Sequence, residues 1–466
     1  MRLKFLGACQ QVTGSCYFLQ GGGLNLLIDC GIYQERNFVE RNWRKFPVSP
    51  GNIDFVILTH AHLDHSGLLP KLVREGFSRS ILTTSASKDI IPIILMDSAR
   101  IQEEDAAYKK KRHKREGYKA KYPEIPLYTV RDAERVLPLL KEVSYEESLF
   151  LNDHVSLRFR DAGHILGSAM LEINVNENCK EQKIVFSGDI GQWNKPLMKD
   201  PSSFDQADYV IMESTYGDRD HEDKESVEKL LCKYINETLR AGGNVVIPTF
   251  AIERAQELMF YLNILVRQDR IPYLMVFLDS PMAENITEVF LRHKESLDRE
   301  TLDFIEKGKQ PFDFPGLKFV RTTAESKEIN NIKGSCIIMA GSGMCTGGRI
   351  KYHLIQNISR PESMVLFVGY QAGGTLGRQI IDGNREVRIH GRNYPVRARI
   401  EQIQGFSAHA DRTGLYKWLS YFKSPPKKIF LTHGEKRATM SLSRDLQKKK
   451  GWNVKVPEYM EEWELN

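Results

Sequence analysis

Short apolar runs, punctuated by glycine and by polar turns, dominate the first two hundred residues. LKFLG, CYFLQ, LNLLIDCG, FVILTH, SILTT, SLRFRDAG, AMLEINV and KIVFSGD each read as a strand. Several end in an acidic residue or a histidine followed by a turn, which places candidate chemistry at strand ends. Helical spacing interrupts them in SGLLPKLVREG and in a long polar segment from about Ile90 to Ala120 that contains EEDAAYKKKRHKREGYKAK. That basic run could touch phosphates, but a solvated helix face with acid–base pairing accounts for it more simply.

From about Tyr209 the rhythm changes to strand, helix, strand, helix: YVIMEST, NVVIPTF, AIERAQELMFYLNILV, YLMVFLD, AENITEVFLRHKESL. It continues through LKFV, CIIMAGSG, GGRIKYHLIQNIS, MVLFVGY, GGTLGRQI and EVRI. Such alternation predicts βαβ units and a parallel sheet covered on both faces. After about Arg397 the β pattern returns in RARIEQIQGFSAHAD and KIFLTHGE, again with histidines just after strands. The expected architecture is a first domain over residues 1–208, an inserted doubly wound domain over 209–396, and a segment over 397–466 that re-enters the first domain.

Composition changes this picture little. With 41% apolar and 27% charged residues, the 466-residue chain has the profile of a globular protein of two or three domains, neither fibrous nor disordered. No apolar run reaches the ~20 residues of a membrane span, and the N-terminus lacks an uninterrupted apolar stretch, so the expectation is a cytoplasmic protein without a membrane partner. The cysteines at 9, 16, 30, 179, 232, 336 and 345 form no CxxC pair and read as reduced, mostly buried thiols. A net charge of +6 mildly favours an anionic partner without naming one.

The informative stretch is ILTHAHLDHSG, where His60, His62, Asp64 and His65 fall together directly after a strand. Side chains alternate in an extended segment, so His60 and His62 project to one side and can ligate one metal, while Asp64 and His65 follow at a turn and can face a second position. Imidazole with carboxylate suits zinc, and a carboxylate-containing pair of sites suits two-metal hydrolysis.

These residues resemble the signature of the metallo-β-lactamase superfamily. LLIDCG resembles its first motif, with Asp29 as a buried residue that orients the loop; DAGHILGSA supplies His164, FSGDIG supplies Asp189, and LTHGE supplies His433. The resemblance implies an α/β protein, an αββα sandwich, with one zinc on His60, His62, His164 and Asp189 and another on Asp64, His65, Asp189 and His433. Manganese could replace zinc at such ligands.

Further motifs resemble those of the β-CASP nucleases. MESTYGDR carries Glu213, GFSAHAD carries His409, and the histidine of LTHGE matches the RNA-processing branch, where the DNA-processing branch has valine. IPTFAIERAQEL, LDSPMA and AGSGMCTGGR resemble segments of the cleavage and polyadenylation endonuclease group and its bacterial and archaeal relatives. The resemblance implies an inserted β-CASP domain on a parallel, Rossmann-like sheet that supplies a groove for single-stranded RNA. It also implies two-metal hydrolysis to 5′-phosphate and 3′-hydroxyl ends, endonucleolytic with 5′ exonucleolytic action as an accompaniment. His409, oriented by Glu213, would protonate the leaving oxygen; Asp64 would act as a ligand, and Asp29 by orienting one. Ser342, Gly343 and Gly348 of the glycine-rich loop, with Arg254, Arg349 and Arg378, are candidate phosphate contacts. Dimerisation is compatible with the family.

Three rivals remain at this level. A DNA nuclease is opposed by histidine at 433, and a thioester or lactam hydrolase by the insertion and by Glu213 with His409. A non-catalytic RNA-binding scaffold is opposed by the complete set of ligand residues.

Overall fold

The computed structural model describes residues 1–117, 124–177, 180–221, 224–369, 371 and 373–466. It divides into two compact units: residues 1–195, 199–220 and 409–466 form the first, and 196–198 with 221–408 form the second.

Two seven-stranded sheets, counted over the described residues, build the first unit. One runs in spatial order Glu462–Glu464, Arg2–Phe5, Tyr17–Gly21, Leu24–Ile28, Phe55–Ile57, Ile81–Thr83, Leu140–Glu142; the other runs Val454–Lys455, Lys428–Thr432, Tyr209–Glu213, Lys180–Phe186, Ala169–Glu177, Val155–Asp161, Ser148–Phe150. The strand pattern of alternate burial explains their packing: Val155, Leu157 and Phe159 point inward while Arg158 and Arg160 stay at the surface. These inward residues join Leu3, Phe5, Leu26, Ile28, Ile173, Ile184 and Phe186 in one core between the sheets. Each fully buried side chain of this kind contributes roughly 1.5–3 kcal/mol. The outer face of the second sheet, through Met170, Val185, Val210 and Leu431, packs on Leu415, Trp418 and Leu419 of helix Arg412–Ser420 and on Leu442 and Leu446 of helix Lys436–Lys450.

The long polar segment forms one helix, Ser85–Glu116, capped at its start by Thr84 and ended by Gly117 in the left-handed region (φ 63°). Tyr118 to Lys121, the end of the basic run, lie outside the described residues.

In the second unit six strands are parallel throughout, in the order Leu317–Phe319, Met275–Asp279, Cys336–Ala340, Val245–Pro248, Met364–Phe367, Arg399–Gln402. A separate two-stranded hairpin, Glu386–Ile389 with Arg392–Pro395, packs Val387 and Ile389 into the same core as Leu376 and Ile380.

The domain boundaries differ from expectation at both ends of the insertion. Tyr209–Glu213 lies between Lys180–Phe186 and Lys428–Thr432 in the first unit, so, apart from residues 196–198, the chain leaves only after Asp220. Arg399–Gln402 pairs with Met364–Phe367 in the second unit, so the return begins at His409 rather than at residue 397. Among the described residues no helix is long and apolar enough to cross a membrane, and six of the cysteines are free thiols.

Candidate metal centre

Every residue of the centre sits just beyond a strand of the first unit. Asp29 follows Leu24–Ile28, His60 and His62 follow Phe55–Ile57, His164 follows Val155–Asp161, Asp189 follows Lys180–Phe186, and His433 follows Lys428–Thr432. Asp64 and His65 lie on the single helical turn Leu63–Ser66. His60 falls in one group with His62, and Asp64 in one with His65: three groups among the described residues, His60/His62/His164/Asp189, Asp64/His65/His433 and Asp189/His409/His433, each bring their ligand atoms within 4.8 Å of one another.

The spacings fit metal ions. Zinc–ligand bonds of ~2.0–2.1 Å in a tetrahedron put neighbouring donors about 3.3 Å apart. In the first group His60 Nε2 is 3.1 Å from His62 Nδ1, His164 Nε2 is 3.3 Å from His62 Nδ1, and Asp189 Oδ2 lies 3.4 and 3.5 Å from His60 Nε2 and His164 Nε2. Across the carboxylate, Asp189 Oδ1 lies 3.3 Å from His65 Nε2 and 3.5 Å from His433 Nδ1, while His433 Nε2 is 3.4 Å from Asp64 Oδ2. One oxygen of Asp189 therefore faces each group. Three imidazole nitrogens converging on one carboxylate oxygen repel through their lone pairs unless a cation lies among them, so the donor set fits a bound metal.

Electrostatics favour neutral ligands in the first group. Burial holds the His60 and His164 imidazoles well below their ordinary range and His62 at about 4, so their nitrogens are available as ligands at neutral pH. Burial also pulls His65 down, but the Asp189 and Asp29 carboxylates more than offset this and hold it well above normal. For Asp64 burial acts upward, and the hydrogen bond and charge of His433 with the charge of His65 bring it to about 2.

Asp29 is buried at 1% exposure, with its backbone in the left-handed region (φ 57°), and its Oδ2 accepts from His65 Nδ1 at 2.7 Å. It also accepts from the Thr59 backbone N–H at 2.8 Å and from the Thr59 hydroxyl. Sequence reasoning passed over Thr59, whose hydroxyl oxygen lies 3.0 Å from His60 Nδ1, and Thr215, whose hydroxyl lies 3.2 Å from His433 Nδ1. Their one signal was adjacency, Thr59 directly before His60 and Thr215 two residues after Glu213.

His409 stands at the rim of this cluster, its side chain 20% exposed and its Nδ1 4.0 Å from Asp189 Oδ2. Glu213 holds that nitrogen, with both oxygens at 3.1–3.2 Å from it. Glu213 is itself fixed by the Ile190 N–H at 2.5 Å, and the backbone around His409 is pinned to Ile190 and Gly191. The segment that follows Asp189 thus aligns both residues with the ligand. Burial lowers the His409 pKa, but the Glu213 carboxylate outweighs it and sets the imidazole at about 9.

The expected phosphate contacts occupy other roles. Ser342 Oγ accepts from the N–H groups of Thr346 and Gly347. Gly343 leaves room for the Phe250 ring, which would lie 2.5 Å from a Cβ there, and Gly348 (φ 72°) passes 2.4 Å from the Gly341 carbonyl oxygen by the same measure. Arg254 is buried and donates to Glu257 at 2.5 Å. Arg349 donates to Asp279 at 2.6 Å and Arg378 to Asp382 at 2.8 Å.

A two-sheet sandwich with histidines and aspartates converging at its strand ends defines a metallo-hydrolase. Residues 10–231 match the metallo-beta-lactamase superfamily, 255–380 the Beta-Casp domain, and 393–457 the Zn-dependent metallo-hydrolase RNA specificity domain. Ribonuclease TTHA0252 of Thermus thermophilus is 37% identical over 444 residues, 95% of this chain and 95% of its own. Transcription termination factor FttA of Methanosarcina mazei is 31% identical over 96% of this chain and 69% of its own, and an RNase J-like protein of Methanocaldococcus jannaschii is 28% identical over 98% and 97%. In fold alone, the chain is similar to a protein of unknown function from Enterococcus faecalis V583, with a TM-score of 0.55 at 11% identity over 99% of both chains. The chain belongs to the β-CASP family of the metallo-β-lactamase superfamily, and so to the metal-dependent RNA hydrolases.

Proposed function

We propose that this protein cuts single-stranded RNA at internal phosphodiester bonds with two zinc ions, leaving 5′-phosphate and 3′-hydroxyl ends. The observation that carries the reading is the division of Asp189, one oxygen toward each histidine group. His60, His62, His164 and Asp189 would hold one ion, and Asp64, His65, Asp189 and His433 the other. When bound, the ions would lower the pKa of water to about 7 and neutralise charge on the phosphate.

The chain's own residues supply the rest. Asp29 holds the Nδ1–H of His65 so that Nε2 faces Asp189. Glu213 holds Nδ1 of His409, which leaves Nε2 as the atom that gives a proton to the departing 3′ oxygen. Most ligand side chains are almost fully buried, and a flexible strand reaches such a recessed centre more readily than a stiff duplex. The ribonuclease name of the Thermus relative and the match to an RNA specificity domain support RNA over DNA.

Circular single-stranded RNA and a DNA circle of the same sequence, incubated with the protein and with an Asp64→Ala variant, test the reading. Cutting of the RNA circle alone, lost in the variant, is the expected result. Survival of the circles with consumption of 5′-phosphorylated linear RNA would replace it with an exonuclease, and no action on either RNA would overturn it.

A further inference from the structure

The hairpin of the inserted unit carries charge that the fold itself does not use. Its strands are joined through His390 (φ 48°) and Gly391 (φ 83°), a two-residue turn closed by the pair Ile389 and Arg392. Period-two alternation sends Val387 and Ile389 into the core, at 3% and 1% exposure, and leaves Arg388 outside opposite Asn393. Arg385 and Arg392, which share the face of Val387 and Ile389 beyond its buried part, and Arg397 are exposed as well. Elsewhere in this unit Arg254, Arg321, Arg349, Arg360, Arg378 and Arg399 all meet carboxylates. Among the described residues no ion pair or side-chain hydrogen bond involves Arg385, Arg388, Arg392, Arg397 or the neighbouring Lys351. The nearby acids are already engaged: Glu386 accepts from Asn393 at 2.8 Å and Asp382 pairs with Arg378.

The turn of the hairpin carries an aromatic contact next to Lys351. Tyr352, 60% exposed, packs against His390 in a tilted arrangement, with ring centroids 4.8 Å apart and planes inclined by 33°. Burial, with the charge of Lys351, lowers the His390 pKa and favours the neutral ring.

We propose that this hairpin is an RNA-holding element separate from the metal centre, whose exposed cations Arg385, Arg388, Arg392 and Arg397, with Lys351, bind phosphates of a single strand while a base stacks on Tyr352. Unpaired arginines interleaved with an exposed ring are the features by which single strands are held without sequence preference. A lipid surface or an acidic protein would match the charge but leave the ring pair without a role. The substrate class rests on the ribonuclease reading above.

The test is binding of a long, phosphorothioate-linked single-stranded RNA, followed by fluorescence anisotropy over a range of salt, to the intact protein and two variants. Replacing Arg385, Arg388, Arg392 and Arg397 together with alanine should weaken binding about 10–100-fold and reduce the slope of log affinity against log salt by about 2–3. Tyr352→Ala should weaken it about tenfold with the slope unchanged. On cleavable long RNA the quadruple variant should raise KM and retain kcat. Unchanged affinity and slope in the quadruple variant would overturn the proposal, as would equal loss of binding to polyglutamate or anionic vesicles. An intact protein that binds through the hairpin but cuts no RNA would refute the ribonuclease reading and leave this one standing.

Discussion

His65 is held from both sides, Nδ1 by Asp29 at 2.7 Å and Nε2 by Asp189 at 3.3 Å. The first contact selects the tautomer and turns Nε2 toward Asp189, where it would serve as a ligand. Asp29→Asn should therefore lower metal affinity about 10–100-fold, read as zinc per chain after dialysis against a graded chelator. At the rim, His409→Ala should slow cleavage by about 10²–10⁴-fold with metal content retained, because its Nδ1 is taken by Glu213 and its proposed role is proton transfer. Loss of both metals in that variant would show it to be a ligand instead. The cluster of His60, His62, Asp64 and His65 was legible in the sequence because HxHxDH is local, whereas His164, Asp189 and His433 were reached only through motif resemblance. The Glu213–His409 contact spans 196 positions and only motif resemblance pointed to it.

At the scale of elements, strand ends decide placement. A fully buried strand of a parallel sheet has no amphipathic signature to say which sheet it joins, and all five residues of Tyr209–Glu213 are buried. That is why the boundary was read early. The same limit hid the role of Arg349, whose partner Asp279 is 70 positions away. Asp279 ends the strand Met275–Asp279 and accepts from Arg349, His353 and Ser326, tying the following helices to the strand end. Burial acts to raise its pKa, but the hydrogen bonds from His353, Ser326 and Arg349 bring it below its ordinary 3.8. A depressed carboxyl stabilises the fold above its unfolded pKa and loses that contribution as pH falls through the folded one. Asp279→Asn should thus cost about 2–4 kcal/mol at pH 7, with the gap to the parent closing below about pH 4 in denaturant titrations.

Across the whole molecule, the two units divide the work: the first gathers acids and imidazoles at one end of a sandwich, and the second carries unpaired arginines on a hairpin. The overall charge of +6 gave no hint of this division, since it averages over both. A centre built from converging lone pairs should depend on its ions for stability as well as activity. Saturating zinc, at about a thousandfold its Kd, should add about 4 kcal/mol over the chelated protein, visible as a raised Tm. The most direct measurement is a titration of the metal-free protein with zinc, following RNA cleavage and bound metal together. The dinuclear account predicts that activity reaches its plateau at two equivalents per chain, and that Asp189→Ala neither retains two ions nor cuts. Full activity at one equivalent, or cleavage by the metal-free protein, would contradict it.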